Sequence, residues 1–257
     1  MKAFIEEFDI QSYSGGSPSE IKDSVIREAP LDIFLNGRKV ITIACTGKNI
    51  DELALGFLRS EGVIETIEDI EAIRADEENF HVEVKTVNPR SGDSLNDDSA
   101  PSIMSSGGRR KRNDLIQGPL ESDLALTAEE GLKIMEVLLS SSLLHRITRG
   151  AHCSALADPG GIITFRDDIG RHNTIDMLGG YALRENIDCR NKILATTGRI
   201  SEEIASKAFH LGIPIIISHS VPTSRAVTFS RDAGITVIGY VRNERMKIYA
   251  NERRVTF

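Results

Sequence analysis

The apolar positions of the chain change their spacing as it proceeds, and each change predicts a different element. Residues 31–45 (LDIFLNGRKVITIAC) read as two strands around Asn36-Gly37, a pair whose residues both adopt the positive φ of a tight hairpin turn. Leu53, Phe57 and Leu58 mark the inner face of a helix predicted from Asp51 to Arg59. Phe80, Val82, Val84 and Thr86 then alternate with His81, Glu83 and Lys85, the pattern of a half-buried strand over 79–87. Thr127 and Glu130 form a capping box ahead of Leu132, Met135, Leu139 and Leu143, whose spacing predicts a helix over 127–145. Beyond it, strands at 161–166, 193–197, 213–218 and 235–241 alternate with helices at about 173–184, 201–211 and 224–233. Gly212 and Gly234 stand where glycines end helices. Such alternation, with runs like Ile213-Pro214-Ile215-Ile216-Ile217, predicts an α/β fold whose mainly parallel sheet is covered on both faces.

This pattern divides the chain into four parts: a flexible arm over 1–20, a smaller β-rich subdomain over 21–87, a mobile loop over 88–122, and an α/β domain over 123–257. The loop is rich in Ser, Gly, Asp, Asn and Pro and carries Arg109-Arg110-Lys111-Arg112. Segments of this length are either functional or disordered.

Composition narrows the function. With 31 basic and 38 acidic residues the net charge is −7, which argues against a generally basic nucleic-acid binder. Cys45, Cys153 and Cys189 are odd in number and far apart, which suits a reducing compartment better than a disulfide framework. The opening MKAFIEEFDI lacks the apolar core of a signal peptide, and no apolar run is long enough to span a membrane. The expectation is a cytoplasmic protein.

Candidate chemistry gathers where strands end. In open α/β sheets ligands bind beyond the carboxyl ends of the strands. Those ends read Asp168-Ile169-Gly170-Arg171-His172-Asn173, Gly198-Arg199-Ile200-Ser201, His219-Ser220-Val221-Pro222-Thr223-Ser224, and Arg242-Asn243-Glu244-Arg245. Three of them lead into helix N-termini, which favour anions, and arginine pairs well with phosphate oxygens. Ser201, Thr223 and Ser224 also have an ordinary explanation as helix caps. The four ends together describe a site for a large, phosphate-bearing ligand. Cys153, beside His152, is a candidate nucleophile or a buried structural residue. No Cys-x-x-Cys exists, so a zinc site is not expected, and His152 with Ser154 two residues on does not make the His-x-Glu of a zinc deaminase.

These residues also resemble the FdhD/NarQ family of formate dehydrogenase accessory sulfurtransferases. The resemblance is carried by Glu28-Ala29-Pro30-Leu31, Asn36-Gly37 and Asp51–Leu58, by Gly150–Asp158, by Asp168–Asn173 with Asp176, by Thr197–Ser201 with Lys207, by Ser220–Ser224, and by Gly239–Arg242 with Tyr249. It implies a cytidine-deaminase-like three-layer α/β/α fold. It implies binding of the molybdenum bis(guanine dinucleotide) cofactor, with GDP as a surrogate, over Tyr240–Arg245 and the other strand ends. It also implies a cysteine desulfurase and a formate dehydrogenase as partners, sulfur passed as a persulfide, and a homodimer. The family's loop cysteines would fall near Ser105 and Ser106, where this chain has Met104-Ser105-Ser106-Gly107-Gly108. Serine cannot carry a persulfide. Either Cys153 substitutes, or the protein binds and delivers the cofactor without transferring sulfur.

Overall fold

A computed structural model describes residues 4–89 and 118–257, together with the backbone of 103–104. Ser105, Ser106 and the basic run Arg109–Arg112 lie outside the described residues, as does most of the segment read as a mobile loop.

The chain begins with β1 (Ile5–Ser14) and β2 (Ser17–Ile26), an antiparallel ribbon turned at Gly15-Gly16. The sequence reading gave residues 1–20 no regular element. The apolar residues that mark these strands, Phe8, Tyr13, Ile21 and Val25, stay exposed, so no buried face announces them. Next come β3 (Ala29–Leu35), β4 (Arg38–Cys45), α1 (Ile50–Ser60), β5 (Ile70–Asp76), β6 (His81–Thr86) and the short β7 (Ile103–Met104). They build a five-stranded sheet in the order β5-β6-β3-β4-β7, with α1 packed on it through Leu53, Phe57 and Leu58. The predicted Asn36-Gly37 turn, the helix at 51–59 and the strand at 79–87 are all present; β5 is an addition.

The second part comprises β8 (Leu126–Thr127), α2 (Ala128–Ser141), α3 (Leu143–Thr148), β9 (His152–Asp158), β10 (Gly161–Asp168), α4 (Arg171–Arg184), β11 (Ile193–Thr196), α5 (Glu202–His210), β12 (Ile215–Ser218), α6 (Ser224–Asp232), β13 (Thr236–Arg242), β14 (Arg245–Ala250) and β15 (Val255–Thr256). Six strands form one sheet in the order β10-β9-β11-β12-β13-β14. Leu178, Ile204 and Ala226 bring α4, α5 and α6 onto one face of it, and Ile134, Met135 and Leu138 bring α2 onto the other.

Two expectations need correction. The sheet is mixed: β11–β12 and β12–β13 pair in parallel, whereas β9–β10, β9–β11 and β13–β14 pair antiparallel. Tight hairpins join β9 to β10 and β13 to β14, and connections that short join only antiparallel strands. Even so, β10, β11, β12 and β13 run in one direction, so their carboxyl ends share an edge, as the strand-end argument requires. The helix predicted over 127–145 is in fact two. Its capping box forms, with Glu130 N donating to Thr127 Oγ1 at 3.1 Å. It then breaks at Ser142, whose hydroxyl accepts from His145 N at 3.1 Å and donates to Asp167 Oδ2 at 2.9 Å. A serine that finds local backbone and carboxylate partners competes with the helix.

The two sheets meet through α1 and α4. A Cβ on Gly56 would lie 1.7 Å from the Asp176 carbonyl oxygen, and one on Gly180 would lie 2.0 Å from that of Glu52. Only glycine allows these backbones to touch. A buried ion pair seals the contact: Arg166 donates to Glu52 through Nε at 2.5 Å and Nη2 at 2.7 Å.

Candidate functional site

Asp168, Thr196, Ser218 and Arg242 end their strands on the shared edge, and His152 begins β9 there, directly opposite Asp168. Helices α4, α5 and α6 start from the same edge. Thr223 caps α6, accepting from Ala226 N at 3.2 Å, and Ser201 caps α5, accepting from Ile204 N at 3.4 Å. Ser224 is the first residue of α6.

A chain of buried hydroxyls fixes this edge from below. Thr174 Oγ1 donates to the Arg171 carbonyl at 2.8 Å and lies 2.7 Å from Ser154 Oγ. Ser154 donates to Thr196 Oγ1 at 2.9 Å, which in turn accepts from Gly198 N at 3.1 Å. Ser218 Oγ donates to the Gly198 carbonyl at 2.7 Å and accepts from Ser220 N at 2.9 Å. Gly198 must be small, because a Cβ there would come within 2.9 Å of Arg171 Cβ. The sequence reading missed Ser154, Thr174 and Thr196 as positioning residues, since small polar residues carry no signal until their partners are known.

The dense stretch over 165–173 divides into two kinds of residue. Asp168 is fully buried, and its carboxylate accepts from Thr46 N at 2.8 Å, Thr46 Oγ1 at 2.9 Å, Gly170 N at 3.0 Å and Asn173 Nδ2 at 2.7 Å. Burial raises its pKa despite these donors. Asn173 Nδ2 also donates to the Ala44 carbonyl at 2.8 Å. These interactions fasten the end of β4 to the start of α4, and they account for Asp168, Gly170 and Asn173 without a ligand.

Arg171 and His172 differ. Arg171 Nε and His172 Nδ1 are buried and have no hydrogen-bond partner. An unpaired buried polar atom costs about 1–3 kcal/mol, so such atoms mark places where something else belongs. The pKa of Arg171 is lowered by burial and by Arg199 beside it, with Glu203 opposing. His172 Nε2 lies 3.3 Å from Glu203 Oε2 and 3.5 Å from Ser201 Oγ. Burial, then Arg171, Lys207 and His152, push its pKa down to about 3. Burial and Arg171 also lower His152. His219 is lowered by burial and by Arg242 on the neighbouring strand end. The edge is therefore a concentration of positive charge in which the imidazoles stay neutral. Glu203, which the sequence reading missed, sits in the first turn of α5, where an acid is unremarkable.

At the far end of the edge, β13 and β14 are joined by Asn243 and Glu244, both at positive φ (50° and 56°). Arg242, Asn243, Glu244 and Arg245 are exposed, whereas the Val241 side chain is buried in the core beneath α2. Val241 can thus offer a ligand only its backbone. Tyr240 holds φ at 59°, an uncommon value for a bulky residue, and donates its N–H to the Ser220 carbonyl at 2.7 Å. The Arg242 guanidinium lies 3.9 Å from the centre of its ring. Strained positions of this kind cluster at functional sites.

Cys153 does not fit the nucleophile role. It is fully buried, and burial followed by Asp167 pushes its thiol pKa up. Its backbone is paired with Thr197, which donates N–H to the Cys153 carbonyl at 2.9 Å and accepts from Cys153 N at 3.0 Å through its hydroxyl. Cys45 and Cys189 are buried too, with thiols pushed up to about 12 and about 11. Reactive cysteines need an accessible, stabilised thiolate, and none of the chain's three has one.

Comparison with known proteins bears on the family and the fold. The FdhD/NarQ family model matches residues 26–256. A sulfur carrier protein FdhD from Bacillus subtilis (strain 168) is 34% identical over 253 residues, covering 96% of each chain. Another from Staphylococcus aureus (strain MRSA252) is 34% identical over 251 residues, covering 96% of this chain and 94% of that protein. A solved chain from Desulfotalea psychrophila, described as a formate dehydrogenase accessory protein, superposes with a TM-score of 0.81 at 24% identity, covering 98% of this chain and 100% of its own. The last shows the same mixed α/β fold. The chain belongs to the FdhD/NarQ family.

Proposed function

We propose that this protein serves the maturation of a molybdenum- or tungsten-dependent formate dehydrogenase by binding the guanine-dinucleotide molybdenum cofactor along the shared strand edge. One observation carries the reading: Arg171 and Arg199 stand together at the starts of α4 and α5, with the buried Arg171 Nε and His172 Nδ1 left without partners. Arginines at helix N-termini suit the ligand's phosphates, and Tyr240 with Arg242 offers a surface for stacking a base. The helices on both faces of the six-stranded sheet are compatible with a cytidine-deaminase-like arrangement. A homodimer, a cysteine desulfurase and a formate dehydrogenase as partners, and a cytoplasmic location, belong to the same proposal. Among the described residues no helix is long and apolar enough to cross a membrane. Titration with GDP tests the pocket by calorimetry: saturable binding weakened by Arg199→Ala supports it, and no binding overturns it.

The sulfur step has two readings. The relatives' name, sulfur carrier, favours a sulfurtransferase that takes persulfide sulfur from a desulfurase and passes it to the cofactor. The burial of all three thiols favours a second reading, a cofactor-binding chaperone that does not itself hold the sulfur. Incubation with a desulfurase and labelled cysteine separates them. Absence of label on the folded protein supports the chaperone; a stable label on Cys153, lost in Cys153→Ser, refutes it.

A further inference from the structure

The two unpartnered atoms at the strand edge differ in what they can bind. Arg171 Nε is a donor on a cation. His172 Nδ1 is the opposite. The His172 side chain is 6% exposed, and burial among Arg171, Lys207 and His152 keeps its ring neutral, with a single N–H. The Glu203 carboxylate at 3.3 Å only accepts, so the proton belongs on Nε2, and Nδ1 holds a lone pair. A bare phosphate oxygen also presents lone pairs and would be repelled there. The charged oxygens of a phosphate can satisfy Arg171 but not its neighbour.

We propose that His172 is a specificity-determining residue, whose Nδ1 accepts a hydrogen bond from an O–H or N–H of a nucleotide whose phosphates lie against Arg171 and Arg199. The site thereby selects a nucleoside diphosphate over free phosphate or diphosphate, because only the former carries sugar and base donors held at a distance from the phosphate groups that Arg171 and Arg199 bind. The inference rests on the nucleotide-pocket reading above and adds to it the group that recognises the non-phosphate part. A site built to hydrogen-bond a ligand discriminates strongly against analogues that leave a buried partner unpaired.

The test measures the affinities of GDP and inorganic diphosphate for the full-length protein and two variants. His172→Phe keeps a ring of similar size but cannot accept. Its GDP affinity should fall roughly tenfold, the effect of one lost hydrogen bond of about 1.4 kcal/mol, while its diphosphate affinity stays unchanged. His172→Asn, whose amide oxygen reaches the place of Nδ1, should retain most of the GDP affinity. In the unmodified protein the Nδ1 nitrogen resonance of His172 should shift on adding GDP and not on adding diphosphate, a readout that needs no variant to fold. Equal losses for both ligands in His172→Phe, or an Nδ1 resonance that ignores GDP, would overturn the role of His172 while leaving the pocket in place. No binding of GDP by the unmodified protein would overturn the pocket and this inference together.

Discussion

A neutral, buried His172 should leave a signature in the pH dependence of stability. Its ordinary pKa of 6.5 applies to the unfolded chain, and in the folded protein the value is about 3. Between these values the unfolded state binds the proton and the folded state does not. The contribution of His172 is therefore fully present above pH 6.5 and is lost progressively as pH falls toward 3. Worked from those two values, protonation of the unfolded chain removes about 2 kcal/mol of stability between pH 7 and pH 5. Glu203 would oppose this by pairing with the cation, but its side chain is 34% exposed and its charge is screened. His152 and His219 are lowered as well and act in the same sense, while the raised Asp168 acts in the opposite one. These groups remain in His172→Phe, so comparison with that variant isolates His172. The assay is urea unfolding followed by far-ultraviolet circular dichroism, since the chain has no tryptophan. Wild type should lose about 2 kcal/mol more than His172→Phe on going from pH 7 to pH 5. Equal losses would show that the imidazole is protonated in the folded state, and the acceptor assigned to Nδ1 would fall with it.

Replacing Gly56 with alanine forces a methyl group to within 1.7 Å of the Asp176 carbonyl, so α1 and α4 must separate; urea unfolding should show a loss of about 3 kcal/mol, and near-native stability would show that the helices do not pack this closely. Glu52→Ala leaves the Arg166 guanidinium, 12% exposed, without its partner at the same interface, and should cost about 3 kcal/mol by the same assay; a loss below about 0.5 kcal/mol would mean the pair is solvated. A chromogenic disulfide reagent at pH 8 should react with none of the three cysteines of the folded protein and with all three in denaturant, and one rapid equivalent under native conditions would contradict the burial of the thiols.

The sequence carried the parts of this fold that local pattern determines. β11, β12 and β13 are short apolar runs, and the glycines after α5 and α6, Gly212 and Gly234, adopt φ of 77° and 71°. β9 and β14 were not legible as strands. HCSALAD mixes small and polar residues, and RMKIYA follows its partner after only two turn residues, so each depends on a neighbour to define it. The site followed the same rule. Strand ends located Arg171, His172, Thr197, Arg199, Ser220 and Arg242 at one edge, because direction and position follow from topology. They could not separate free from engaged groups. Asp168 and Asn173 look like ligand-binding residues in sequence, yet their partners are Thr46 and Ala44, 122 and 129 residues away. No local pattern reports a hydrogen bond across that span.

The same distinction governs the sulfur chemistry. His152 and Cys153 are neighbours in sequence, but β9 turns alternate side chains to opposite faces of the sheet. His152 faces the edge cluster, within the influence of Arg171. Cys153 points into the core beneath α2, with Ile134, Met135 and Leu138. Its thiol is covered by that cluster and by Ser142 at the junction of α2 and α3, so reaching it means disturbing the apolar layer that holds β9, β11, β12 and β13 together. Opening a core for each transfer is a poor way to move sulfur, since reactive cysteines work from accessible, charge-stabilised positions. The strand edge has the opposite character: it is polar, it is bounded by helix N-termini, and two of its buried atoms await partners. This division of properties favours the second proposed reading, in which the protein holds a nucleotide-bearing ligand and does not itself hold the sulfur. On the chaperone reading, the thiol that delivers sulfur at this edge belongs to a partner protein.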